Sequence, residues 1–170
     1  MVLGAKIYGW YSGYSELTVT VDYTSTRNYM PWRYYFRIVN LSNIVIEGLG
    51  GRDNVPDSDT GKHFLGQALT TRAYAYFYLT QLYQDGYDPS EPILPLYPDT
   101  KTPNVAKSTA AEVFAFIEAD CQAAKSLLSN YTRSSVSSAD KYVASTVLAY
   151  AYGAQGKWAE AAAESAIVVL

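Results

Sequence analysis

One cysteine, Cys121, and one histidine, His63, are all that this 170-residue sequence offers in the way of thiolate and imidazole ligands or thiol chemistry. No disulfide can form within the chain, and zinc sites of the Cys/His type are excluded for want of ligands. No metal and no cofactor is expected. Positive charge is also scarce: 13 Lys and Arg stand against 16 Asp and Glu, a net charge of −3. A nucleic-acid binder needs a basic face, and neither the total nor any local run supplies one. No apolar run approaches the roughly 18 residues of a membrane-spanning helix; the longest is Ala73 to Leu79. The first ten residues lack the basic and apolar regions of a signal peptide. With 49% hydrophobic and 17% charged residues, long disorder is not expected. A chain of this length reads as one domain able to bury roughly two-thirds of its unfolded surface.

What is abundant is tyrosine: 17 Tyr, beside 3 Trp and 5 Phe. Residues 1–30 form an aromatic-rich lead-in, expected to be irregular, with Trp10, Tyr11, Tyr14, Tyr23 and Tyr29 among Gly, Ser and Thr. Glu16 to Asp22 alternates at period two and allows one short strand.

From Pro31 onward the pattern is helical. Pro31 suits a first helical position, and apolar stripes (Trp32, Tyr35, Phe36, Val39, Ile46; Ile38, Leu41, Val45) predict a helix to Glu47, closed by Gly48 to Gly51. Leu65, Leu69, Tyr76, Leu79 and Tyr83 predict a second helix over Lys62 to Gln84, ended by Asp85-Gly86. Pro89, Pro92, Pro95, Pro98 and Pro103 then mark a long loop that can be neither helix nor central strand. A third helix opens at Thr109, where Thr109-Ala-Ala-Glu112 is a capping box. Its apolar face holds Val113, Ile117, Cys121, Ala124, Leu128 and Tyr131, so Cys121 reads as an inert core thiol. A fourth helix opens at Ser137 to Asp140 and runs to Gly153, and a fifth begins at Trp158.

Leu148, Ala149, Tyr152, Gly156, Trp158 and Ala161 match six signature positions of a tetratricopeptide hairpin. Small residues let two helices approach, aromatics fill the gap, and Gly permits the turn. That logic wedges Trp158 between helices and makes its removal costly. The sequence stops at Ala166-Ile-Val-Val-Leu170 inside an apolar pattern, which predicts a piece of a longer protein and self-association through this exposed C-terminal helix.

Four pieces in this order resemble the SusD/RagB family of nutrient-binding outer-membrane lipoproteins. Trp32 to Ile46 resembles its first long helix, with Asn40 and Asn43. Ala68 to Leu79, with Leu82-Tyr83, is similar to its Leu-Arg-Ala-Tyr helix; Thr71 replaces the usual Leu, and Gly86 and Pro95-Leu96 fall later than usual. Ser108 to Phe114, with Ile117 and Asp120, resembles its capped third helix, and Gly156-Lys-Trp158 its hairpin. The resemblance covers Pro31 to Leu170. It implies an all-α scaffold of antiparallel tetratricopeptide-like hairpins. It implies a surface-exposed protein at the cell outer membrane that binds oligosaccharide without catalysis and delivers it to a SusC-like TonB-dependent transporter. The alternative is a helical-repeat module that binds protein and no sugar.

Sugar recognition needs flat apolar faces and hydroxyl partners. Tyr74, Tyr76, Tyr78, Tyr150 and Tyr152 lie on helices read as buried, which favours packing for them. Asn40 and Asn43 read as helix-to-loop hydrogen-bonders. Arg72, in an apolar stretch, reads as one half of an internal ion pair or a backbone donor. Asp53 to Gly61 lacks the spacing of a calcium loop and reads as a loop capping the next helix. No spacing places two carboxylates together for glycoside cleavage. The candidate ligand-binding residues are Trp10, Tyr11, Tyr29 and Trp32, with Tyr97 a weaker one.

Overall fold

The structure, a computed structural model, describes residues 26–169. Trp10, Tyr11 and the alternating segment from Glu16 to Asp22 lie outside the described residues. Five helices form the described chain: α1 Thr26–Gly48, α2 Asp59–Tyr83, α3 Ala110–Leu127, α4 Lys141–Ala154 and α5 Trp158–Val169. Each packs on its successor, and α2 also reaches α4, giving an all-α stack of antiparallel helical hairpins. None of the described helices is long and apolar enough to cross a membrane.

The helix ends follow local chemistry. Ser58 caps α2, its hydroxyl accepting from the Gly61 amide at 3.1 Å. The expected start at Lys62 is thus three residues late, because Gly61, the last residue of the expected loop, sits inside the first turn. A Cβ on Gly61 would come within 2.6 Å of Pro56, so the close packing of the loop explains the glycine. Thr109 and Glu112 form the expected capping box on α3, and Asp140 caps α4. α1 begins at Thr26, five residues before Pro31. Proline removes one donor, but this close to the helix start it leaves most of the ladder intact.

The Pro-rich segment contains one short antiparallel pair, β1 Pro92–Leu94 with β2 Ser108–Thr109. Pro92 opens its strand, a position that needs no ladder donor. The same segment satisfies the open end of α3: the Ala110 amide donates to Glu91 O at 2.8 Å and that of Ala111 to Pro89 O at 3.1 Å.

The main core joins α1 to α4 through Val39, Tyr76, Leu79, Ile93, Leu94, Phe114, Ile117 and Leu148. A second cluster gathers Ile46, Leu65, Leu69, Leu128 and Ala144 at the other end. Cys121 is buried in the first, and burial pushes its thiol far up, as expected of an inert core cysteine.

Two packing expectations are corrected. Trp158 is 72% exposed, so it is no wedge. As the first residue of α5 it only grazes α4 near Gly153. Tyr76 is buried as expected, but Tyr74 and Tyr150 are exposed, and Tyr78 and Tyr152 only half-buried. The outer rings instead pack on one another, Tyr35 stacking on Tyr78 at 5.8 Å and Tyr150 leaning on Phe77 at 5.9 Å.

Candidate functional site

Two elements wall a hollow of about 320 Å3: one stripe of α1 and the loop that follows β1. From α1 come Trp32, Phe36, Val39, Asn40 and Asn43. Their spacing of three and four places them on one side of the helix. From the loop come Tyr97, Asp99, Thr100 and Thr102.

The aromatic side is braced by rings at steep angles. Trp32 packs at 4.6 Å on Phe36 and edge-on against Tyr83 at 5.1 Å. Phe36 meets Tyr97 at 5.7 Å and Tyr76 at 6.1 Å, both nearly perpendicular. Such edge-to-face pairs hold each ring in one orientation.

The loop is fastened from below. Arg72 on α2 is fully buried and donates to Asp120 from Nε at 2.7 Å and from Nη2 at 2.9 Å. Its Nη1 donates to Asn43 Oδ1 and to Pro98 O, both at 2.8 Å. Asn43 Nδ2 donates to Tyr97 O at 2.9 Å, and the Tyr97 amide donates to the Tyr76 hydroxyl at 2.8 Å. Arg72 is therefore both the internal ion pair and the backbone donor expected of it, and Asn43 the helix-to-loop link. Asn40 instead stands exposed at the rim. Burial pushes the Asp120 carboxyl up, against the hydrogen bonds and charge of Arg72 and the charge of Arg52, 3.5 Å away.

The upper end of the loop is tied by carboxylates. Glu47 accepts from the Thr100 hydroxyl at 2.6 Å and amide at 2.8 Å, which holds its carboxyl below the usual range. Asp99 accepts from the Thr102 hydroxyl and amide and the Lys101 amide, and is lowered likewise.

Of the candidate residues, the structure places Trp32 in the wall of the hollow and Tyr29 one turn earlier on α1, 47% exposed. Tyr97 lines the opposite side. Phe36, Asp99, Thr100 and Thr102 also line the hollow and are not among the candidates read from the sequence. The spacing of Trp32, Phe36, Asn40 and Asn43 could have marked the α1 side, whereas nothing periodic marks the loop. No group of three or more His, Cys, Asp or Glu among the described residues is arranged to hold a metal ion.

A stack of helical hairpins carrying an aromatic-walled hollow with amide, hydroxyl and carboxylate groups at its edge defines the class: an all-α scaffold of antiparallel hairpins. Residues 5–155 match the SusD-like family described as "Starch-binding associating with outer membrane", and the chain belongs to that family. No curated protein matches the chain. Among solved structures it is similar to a SusD-like carbohydrate binding protein from Bacteroides vulgatus, with 23% identity and a TM-score of 0.74 over 84% of this chain and 31% of that one. A SusD superfamily protein from Bacteroides thetaiotaomicron gives 19% identity and 0.73 over 83% and 32%. One from Bacteroides fragilis gives 24% and 0.71 over 84% and 34%. The chain thus spans about a third of the length of the structures it matches.

Proposed function

We propose that the chain is the helical part of an oligosaccharide-binding protein of the outer membrane. Sugar would lie in the hollow between α1 and the loop, against Trp32 and Tyr29, with Asn40, Asp99, Thr100 and Thr102 meeting its hydroxyls. The observation that carries this reading is the convergence of a braced indole and four hydrogen-bonding side chains on one hollow, in a chain of a family described as starch-binding. Aromatic faces cover the C–H surface of a sugar ring, while amides and carboxylates match its hydroxyls. Capture without cleavage, exposure at the cell surface and delivery to a SusC-like TonB-dependent transporter complete the proposal. Titration calorimetry with maltoheptaose, with cellohexaose and xylohexaose as comparators, tests it. Heat with one of them, and no shortening of that sugar on overnight incubation, is the expected result. Silence across the three, or cleavage, counts against it.

A second reading, a protein-binding module, draws on the outer groove of Ile38, Leu41, Val45 and Phe64, in which Leu41 and Phe64 are each more than half exposed. Apolar patches of this kind mark protein contacts. A chain silent to all three sugars, whose sedimentation changes on Leu41→Ser, favours this second reading.

A further inference from the structure

Three buried side chains from the core reach the loop above them, and all bond its main chain. Tyr97 O accepts from Asn43 Nδ2, Pro98 O from Arg72 Nη1, and the Tyr97 amide donates to Tyr76 Oη. Asn43, Arg72 and Tyr76 are each at most 1% exposed. Arg72 is in turn oriented by the fork to Asp120, so its remaining N–H groups are aimed before the loop arrives. Phe116 backs the guanidinium, 4.7 Å from its ring centre. A buried cation held only for stability would be a poor choice, because an apolar pair of similar volume serves as well. Here the cation sits where it can reach two helices and a loop carbonyl at once.

We infer that Arg72 is a positioning residue: with Asn43 and Tyr76 it fixes the loop by main-chain atoms alone at residues 97 and 98, and so sets the hollow's width while leaving the loop's side chains to choose the ligand. The inference deepens the sugar-binding reading and rests on it for what the hollow holds. The placement of the loop does not depend on that reading.

The lower fastening is sequence-blind at the loop. A carbonyl is a carbonyl whatever residue bears it, so the bonds at 97 and 98 do not depend on the loop's side chains, whereas Asp99, Thr100 and Thr102 tie the upper end through theirs. The Tyr97 ring points back to Phe36 and Thr100 to Glu47, which trims the loop against α1. Selectivity among sugars is then carried by these loop positions and by Asn40, while affinity for any sugar depends on the buried anchor.

Amide hydrogen exchange followed by NMR on the 170-residue chain tests the anchor without ligand. Tyr76→Phe removes one acceptor at almost constant volume. The double change Arg72→Met with Asp120→Leu removes the donor and its counter-ion together, so that no lone charge is buried. Loop amides, those of Tyr97, Thr100 and Thr102, are expected to exchange about tenfold faster or more in each variant, the equivalent of a lost charged or buried hydrogen bond, while amides of α3 and α4 keep their rates. Tyr97→Phe, which keeps the loop's main-chain bonds, is expected to leave the loop rates unchanged. Unchanged loop rates in Tyr76→Phe overturn the inference even if the double variant fails to fold. Calorimetry with maltoheptaose is run alongside. Faster loop exchange with undiminished affinity leaves the anchor standing and removes the hollow as the sugar site; unchanged exchange removes the anchor, whatever the affinity.

Discussion

Arg72 and Asp120, 48 residues apart, face each other as a fork with neither side chain exposed to solvent. The pair joins α2 to α3, and through Asn43 and Pro98 it joins both to α1 and the loop. Breaking such a pair from one side leaves a charge in a dry interior. Asp120→Ala is therefore expected to cost about 3–5 kcal/mol, read as a fall in the urea midpoint with the slope unchanged. A loss under 1 kcal/mol, on the order of a surface pair, would mean that water reaches the guanidinium.

Gly66 on α2 lies against the end of α3. A Cβ there would come within 2.6 Å of Leu128 Cγ and 3.2 Å of Leu127 Cβ. Both atoms sit close to their own backbone and yield little. Gly66→Ala is expected to destabilise by about 1–3 kcal/mol through overpacking, although alanine is the better helix former. A raised melting temperature would show that α2 and α3 separate easily.

Trp158, at 72% exposure, fills no gap. In this chain Trp158→Ala is expected to change stability by no more than about 0.5 kcal/mol. A loss of several kcal/mol would return the ring to the wedge position that its motif predicts.

Acid acts on the upper fastening of the loop. Thr100 holds Glu47 below its ordinary 4.5, through its hydroxyl first and its amide second. Thr102 holds Asp99 below its ordinary 3.8, again through the hydroxyl first. A group whose folded pKa is depressed stabilises above its unfolded pKa and loses that contribution as pH falls through the folded value. The loop ties should thus be constant from neutrality down to about pH 5 and loosen below about pH 4. The Thr100 and Thr102 amide resonances report this directly, and Glu47→Gln should abolish the Thr100 titration while leaving that of Thr102.

Local features were the legible ones. The capping box of Thr109 and Glu112 spans four residues, and the turn at Gly156, with φ +74°, is a backbone need that glycine meets within its own dipeptide. Helix faces of α2 and α3 follow from periodicity. The hollow does not, because its walls meet across distances that no period encodes: Asn43 and Tyr97 are 54 residues apart. Arg72 stands out as a charge in an apolar run, and Asp120 as a position of the third-helix motif, but nothing in the sequence pairs the two across 48 residues. Trp158 misled for a related reason. A motif gives the spacing of a hairpin, whereas exposure depends on which helix packs next.

Trp32 decides the sugar-binding reading. Its indole lies at the hollow, half-buried, with Phe36 and Tyr83 on its other sides. It thus serves both packing and the candidate site, and a single truncation confounds the two. Trp32→Ala is expected to cost about 1–2 kcal/mol of stability, less than a fully buried ring, and to weaken maltoheptaose binding about tenfold or more, the loss of one anchor worth some 1.4 kcal/mol. Tyr29→Ala separates the effects. Tyr29 is 47% exposed, so its removal should leave the melting temperature within about a degree or two, a change of under 0.5 kcal/mol, and still lower the affinity. Calorimetry and thermal melting on both variants give four numbers. Affinity lost in both with stability lost only in Trp32→Ala places the sugar along α1. If the wild-type chain binds maltoheptaose and both variants bind it equally well, the sugar lies elsewhere, and the hollow is a consequence of how the loop crosses α1.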